Sequence, residues 1–335
     1  LGHLPPSTAV ANCAAVSVSD GMAVAGLGSD TGGSLRIPAA LCGVVGLRPS
    51  PGRVTRGTSN NLYSPQSVQG PMARNVADLA LFLDSMAGFC PHDPMTFDAP
   101  AVSFSAAVAR PVAPKRVAFS IDFGGRFELD GEIREICARM AQRFQELGCI
   151  VEEASPDFGP VDNVFMALRS QQFVVDRELQ IQQHRDKIKP DIIWNTELGL
   201  EQTASRLAWA ERERAALYRR MGAFFQTYDL FVTPGAPTAA FDVNLRAPAT
   251  IAGKKLENYM AGSTLNSAIT VTGSPAIAVP CGFDQYGRPV GLQLVGKPRG
   301  EAALLQAAVL YEQLIGLDRL LPIDPRPGTV PPSAA

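Results

Sequence analysis

Apolar positions in this chain come in short blocks, and the spacing inside each block changes along its length. Residues 13–22 mix small and apolar side chains in the manner of a buried helix, and 23–27 read as a short buried strand. A glycine-rich loop over 28–34 follows. A second apolar piece over 39–47 comes next, ended by the turn residues Pro49, Pro51 and Gly52. Residues 74–88 predict an amphipathic helix with Val76, Leu79, Leu81, Leu83 and Met86 on its apolar side. Residues 91–115 hold five prolines and no strong period, so they read as a linker. A strand is predicted over 117–120. Asp130 then caps a helix to about 147 that carries Ile133, Ile136, Met140 and Phe144 on one face. Gly148 stops that helix and 149–153 read as the next strand; strand–helix–strand order favours a parallel sheet.

Residues 161–226 read as mostly helical, with the dense charge of 206–220 as a solvated face. A buried strand over 229–233 ends at Pro234-Gly235, and 255–270 read as a helix. Strands over 276–279 and 290–295 are joined by a hairpin-type loop at 282–288. A last helix covers 301–314, and 322–335 form a proline-rich tail.

Composition narrows the class. The 335 residues suffice for one large α/β domain or two smaller ones, and 46% hydrophobic with 19% charged residues fits a globular chain. A formal charge of −2 implies no cationic face, which argues against nucleic acid as a ligand. The six cysteines are scattered without a CxxC pair, and His3, His92 and His184 have no metal-ligand spacing. These features predict no disulfide framework and no metal site. No run is long enough to span a membrane, and no signal peptide is visible, so the cytoplasm is the expected compartment. Residue 1 is Leu and the first lines read as interior sequence. The expectation is a fold lacking its N-terminal elements, with the apolar side of 13–27 uncovered and self-association following from it.

Chemistry concentrates in Gly28-Ser29-Asp30-Thr31-Gly32-Gly33-Ser34. A serine just after two glycines can hold its Oγ in the open, and successive N–H groups in such a turn can converge on one point. The residues alone fit a phosphate cradle, a nucleophile loop with its own oxyanion hole, or a plain glycine turn with a solvated serine. The phosphate reading lacks the Gly-Lys-Ser/Thr ending.

The run continues Leu35-Arg36-Ile37-Pro38-Ala39-Ala40-Leu41-Cys42-Gly43-Val44-Val45-Gly46-Leu47-Arg48-Pro49 and resembles the amidase signature family. Gln69-Gly70-Pro71-Met72-Ala73-Arg74-Asn75, Thr233-Pro234-Gly235-Ala236-Pro237, Gly273-Ser274-Pro275-Ala276 and Pro289-Val290-Gly291-Leu292-Gln293 are similar to its later blocks. The resemblance implies one α/β/α domain on a large mixed sheet, here over 1–320 with a variable helical region at about 155–226 and a tail at 321–335. It implies an amidase, acting on a small-molecule amide by cleaving its C–N bond through an acyl-enzyme, without a cofactor. Ser34 matches the nucleophile. The backbone N–H groups of Thr31, Gly32, Gly33 and Ser34 match the oxyanion hole, and Asp30 and Arg36 match positions that brace the loop. Cys42 also falls on the pattern and reads as a buried small hydrophobe.

The family activates its nucleophile with a bridging serine and a neutral lysine. Val10 falls on the bridging position, and residues 1–33 contain no lysine. Three readings stand: an amide hydrolase, a folded but catalytically degenerate relative acting by binding, and an amidotransferase A-type subunit.

Overall fold

The structure, a computed structural model, describes residues 13–316 other than 58, 243 and 246. It opens with α1 (Cys13–Ser19), the strand β1 (Ala25–Asp30), α2 (Arg36–Cys42), β2 (Val45–Arg48) and β3 (Val68–Ala73). Next come α3 (Val76–Met86), α4 (Phe104–Ala109), β4 (Arg116–Phe119), α5 (Gly131–Gln142) and β5 (Ile150–Glu153). Three helices follow: α6 (Val161–His184), α7 (Pro190–Leu200) and α8 (Ala204–Thr227). Then come β6 (Leu230–Pro234), a small hairpin of β7 (Thr250–Ile251) and β8 (Lys254–Lys255), and α9 (Thr264–Thr272). The last elements are β9 (Ala276–Phe283), β10 (Pro289–Val295) and α10 (Glu301–Ile315).

Eight strands form one mixed sheet in the order β1-β3-β2-β9-β10-β6-β4-β5. The predicted strand–helix–strand unit is there: β4 pairs with β5 in parallel, and with β6 in parallel. Every other pair is antiparallel, including the β9–β10 hairpin. The apolar residues divide into a large cluster, which takes in Ala73, Ile277 and Leu292, and a small one, which takes in Ala39, Met72 and Ala278. Neighbours Met72 and Ala73 fall in different clusters, as the alternation of a pleated strand requires. Cys42 belongs to the small cluster. No helix among the described residues is long and apolar enough to cross a membrane.

Three sequence expectations change. The 91–115 stretch contains α4, whose first amides are held by another helix: Asp84 accepts from Phe104 N at 2.6 Å and from Ser105 N at 3.0 Å. A six-residue helix shows no readable period; Ser103 caps it locally, and the Asp84 carboxylate that holds its first amides lies twenty positions upstream. The 255–270 helix begins only at Thr264, after the β7–β8 hairpin. The strand β3 is not expected from the sequence, because Gly70 and Pro71 are poor strand formers. A Cβ on Gly70 would lie 2.2 Å from the Leu47 carbonyl oxygen, so close strand approach demands glycine there. Val10 and the 321–335 tail lie outside the described residues.

Candidate active site

The edge strand β1 pairs with β3 along its whole length and ends at Asp30. Beyond that residue the chain turns back on itself, and the Asp30 carboxylate organises the turn. It accepts from Gly33 N at 2.9 Å and from Leu35 N at 3.2 Å, which closes the loop just ahead of α2. Arg36, the first residue of that helix, meets the same carboxylate through Nε and Nη2, each at 2.9 Å. Arg48, the last residue of β2, donates from Nη1 to the Asp30 carbonyl at 2.6 Å and to its carboxylate at 3.3 Å. All three side chains are fully buried.

This hub carries two cations against one anion. Burial alone would raise the Asp30 pKa, but the charge and hydrogen bonds of Arg36, then the charge of Arg48 and the Gly33 amide, override it. The carboxyl is held well below the usual carboxylate range and stays ionised. Burial draws Arg48 down to about 10, with Asp30 opposing. Arg36 reaches further, from Nη1 to the Asn266 carbonyl at 2.9 Å and to Gln293 Oε1 at 2.5 Å, and from Nη2 to Thr270 Oγ1 at 3.0 Å. The loop is thereby tied to α9 and β10. Gly33 sits at φ +117°, and a Cβ there would lie 2.7 Å from Asn266 Cβ and 2.8 Å from Ile37 Cδ1.

The loop amides divide into two sets. Gly33 and Leu35 donate inward to Asp30, while Arg36 N and Ile37 N both donate to the Gly33 carbonyl. Among the described residues, the N–H groups of Thr31, Gly32 and Ser34 donate to no protein atom. The four-amide set expected from the resemblance is corrected on this point: the Gly33 amide faces its own aspartate, because the loop needs it to close. Ser34 and Thr31 are half-buried and Gly32 is buried. Beside Gly32 lie Phe165 of α6 and Met260, whose Cζ and Cε would stand 3.1 and 3.4 Å from a Cβ placed there.

Sequence reasoning names Asp30, Arg36 and Ser34 but misses Arg48, Asn266, Thr270 and Gln293. One signal is legible: Gln293 is the single polar side chain in β10, a strand buried at every position. No lysine joins the loop through any hydrogen bond or ion pair among the described residues; Lys254 pairs with Glu128 and Lys297 with Asp229. A cavity of about 430 Å³ lies elsewhere, beside Ser50, Tyr218, Thr272 and Arg299, and no residue of the 28–36 loop lines it.

Comparison with known proteins places the chain among relatives of the same fold. The chain is 33% identical over 325 residues to the A-type subunit of the glutamyl-tRNA(Gln) amidotransferase of Moorella thermoacetica, covering 90% of this chain and 65% of that protein. It is 31% identical over 301 residues to an acylamidase of Rhodococcus erythropolis, covering 89% of this chain and 63% of that one. The chain therefore spans a little under two thirds of the length of these relatives. A bacterial aryl acylamidase structure of the amidase signature enzymes shares the fold, with a TM-score of 0.82 at 23% identity, over 94% of this chain and 67% of that one. A family model described as Amidase matches residues 13–305, which span the braced loop, the mixed sheet and the start of α10, and on that match the chain belongs to the amidase signature family.

Proposed function

We propose that this chain is an amide hydrolase with Ser34 as its nucleophile. The observation that carries the reading is the division of labour among the loop amides. Those of Gly33 and Leu35 are pinned to a buried carboxylate, while those of Thr31, Gly32 and Ser34 are left uncommitted around one serine. Asp30, Arg36 and Arg48, which brace the same loop, are fully buried and carry a net positive charge. A fixed set of donors in a loop braced by a buried positive charge favours a negative oxygen without reorganising, as a tetrahedral intermediate needs.

In this reading Ser34 Oγ attacks the amide carbonyl carbon and the carbonyl oxygen takes the negative charge, held by the three N–H groups. The C–N bond then breaks. The nitrogen leaves as amine with the proton that Oγ gave up, and an acyl-serine ester remains. Water adds to that ester, its proton returns to Oγ, and the acid departs. The proton transfers need a base. In the family a lysine serves through a bridging serine; here Val10 stands at the bridging position and no lysine occurs among residues 1–33. Members of such a unit act together, so an unassisted serine with its oxyanion donors supports only about 10³- to 10⁴-fold catalysis over water. Slow acylation is the expected behaviour of these 335 residues by themselves.

The substrate is a small-molecule amide, in keeping with the acylamidase relative. Six cysteines scattered without a CxxC pair fit the cytoplasm. Met22, Val24 and Leu27 are exposed at the β1 edge of the sheet, so self-association belongs to the same reading. Elution as a clean monomer from a sizing column would count against that part. A second reading, binding without turnover, is favoured by Val10 alone.

The deciding test is a fluorophosphonate probe, which forms a bond from Oγ to phosphorus while fluoride leaves with the hydroxyl proton. Mass spectrometry should place the label on Ser34, and Ser34→Ala should abolish it. Absence of label would support the binding role, and label surviving in Ser34→Ala would sink the nucleophile assignment.

A further inference from the structure

Four arginines are buried among the described residues: Arg36, Arg48, Arg53 and Arg169. Arg36 and Arg48 share Asp30, and Arg53 pairs with Glu301 at 3.1 Å. Arg169, on α6, is 9% exposed and meets no carboxylate among the described residues. Its Nε donates to Asn195 Oδ1 at 3.1 Å and its Nη2 to the Tyr259 hydroxyl oxygen at 3.2 Å, both neutral acceptors. Two aromatic rings flank it, Phe173 at 4.7 Å and Phe165 at 5.9 Å from the guanidinium carbon. Asn195 is itself held, donating to the Asp191 carbonyl at 2.6 Å and to the Tyr259 oxygen at 2.7 Å. Among the described residues Nη1 donates to no protein atom, and it is not among the side-chain atoms sealed from solvent without a partner.

A buried cation without a counter-charge is costly, and folded chains rarely keep one without a use. Its surroundings say where the use lies. Phe165 is one helical turn before Arg169 and also stands against Gly32 of the nucleophile loop. Met260, next to Tyr259 in the chain, touches the same glycine. The guanidinium is therefore one side chain removed from the oxyanion donors, oriented by Asn195 and Tyr259, with one nitrogen open. A planar guanidinium so placed matches a carboxylate better than any neutral group.

We propose that Arg169 is a specificity-determining residue that selects amides carrying a carboxylate. The proposal deepens the amidase reading and rests on it for the identity of the reacting centre. In the native protein, fluorophosphonates bearing a terminal carboxylate on short chains of graded length should label Ser34 at least about tenfold faster than their methyl esters. Arg169→Gln should remove that preference by slowing only the acids, and Arg169→Lys should retain part of it. Equal rates for acids and esters at every chain length in the native protein would overturn the proposal. So would a preference that survives Arg169→Gln.

The companion measurement is calorimetric titration with the monoamide of a short dicarboxylic acid against its diamide. Saturable binding of the monoamide alone, lost in Arg169→Gln, supports the carboxylate site even where no probe labels Ser34, and the nucleophile assignment then fails by itself. If neither ligand binds and no probe labels, both fail. Labelling without discrimination removes the Arg169 role and leaves the nucleophile standing.

Discussion

Two loops of this protein are built on the same device, an aspartate that reaches back to its own turn and an arginine a few residues on. In the hairpin between β9 and β10, Asp284 accepts from Tyr286 N, Arg288 N and Arg288 Nε at 3.0, 2.8 and 2.6 Å. Asp284 N and Gly287 N bond within the turn, and Gln285 N reaches Glu132. Every amide from 284 to 288 is thereby committed. In the loop after β1, Asp30 accepts from Gly33 N, Leu35 N and Arg36, yet the amides of 31, 32 and 34 stay open. Both carboxylates are buried; a second arginine, and the full burial of both arginines on Asp30, make the difference. Arg48 holds the Asp30 backbone as well as its side chain, so the turn stays in place without using all of its own donors. The hairpin loop spends all of its amides on completing a turn, and the other leaves three of its own uncommitted.

The comparison is broken most sharply at the two aspartates. Asp30→Asn leaves Arg36 and Arg48 buried without a counter-charge and should cost about 3–5 kcal/mol in urea unfolding, with loss of Ser34 labelling. Retention of both stability and labelling would show that the hub does not hold the loop.

The same carboxylate sets a pH dependence. Its folded pKa is depressed, so its contribution is complete above the unfolded value of about 3.9 and is lost as pH falls toward the folded value. The melting temperature should therefore drop as pH is lowered from about 5 to about 2, and Asp30→Asn should flatten that slope.

Glycine gives the next contrast. Gly33→Ala meets both a positive φ and contacts below 3 Å, and should cost about 1–3 kcal/mol together with slower labelling. Gly287→Ala, at φ +74° with nothing near, should cost about 1 kcal/mol and leave labelling unchanged. Asp284→Asn has the smallest expected effect on the site. About 1 kcal/mol of stability is lost, because Arg288 remains partly solvated, and labelling holds at the native rate.

Much of this is readable from the chain itself. The strand–helix–strand of β4, α5 and β5 follows from apolar periodicity and from Gly148 as a stop, and the β9–β10 hairpin follows from two apolar runs flanking turn residues. The glycine loop and its serine stand out because two adjacent glycines beside a serine have a conformational meaning wherever they occur. The strand β3 does not stand out, since its Gly70-Pro71 reads locally as a turn and is decided by contact with Leu47. Arg169 does not stand out either, because a single arginine in a helical run looks like any solvated charge until its burial is known.

Local sequence settled the β4–α5–β5 unit, the β9–β10 hairpin, the loop and the placing of Asp30 near Arg36, since each depends on residues close together in the chain. The tertiary structure decided which amides stay open, which arginines meet a carboxylate and which one does not. Those outcomes depend on Asn266 and Gln293, 230 and 257 positions from Arg36, and on Tyr259, 90 positions from Arg169. Hydrogen bonds across such separations form only when the sheet and its helices bring distant chain segments together, so no local pattern encodes them.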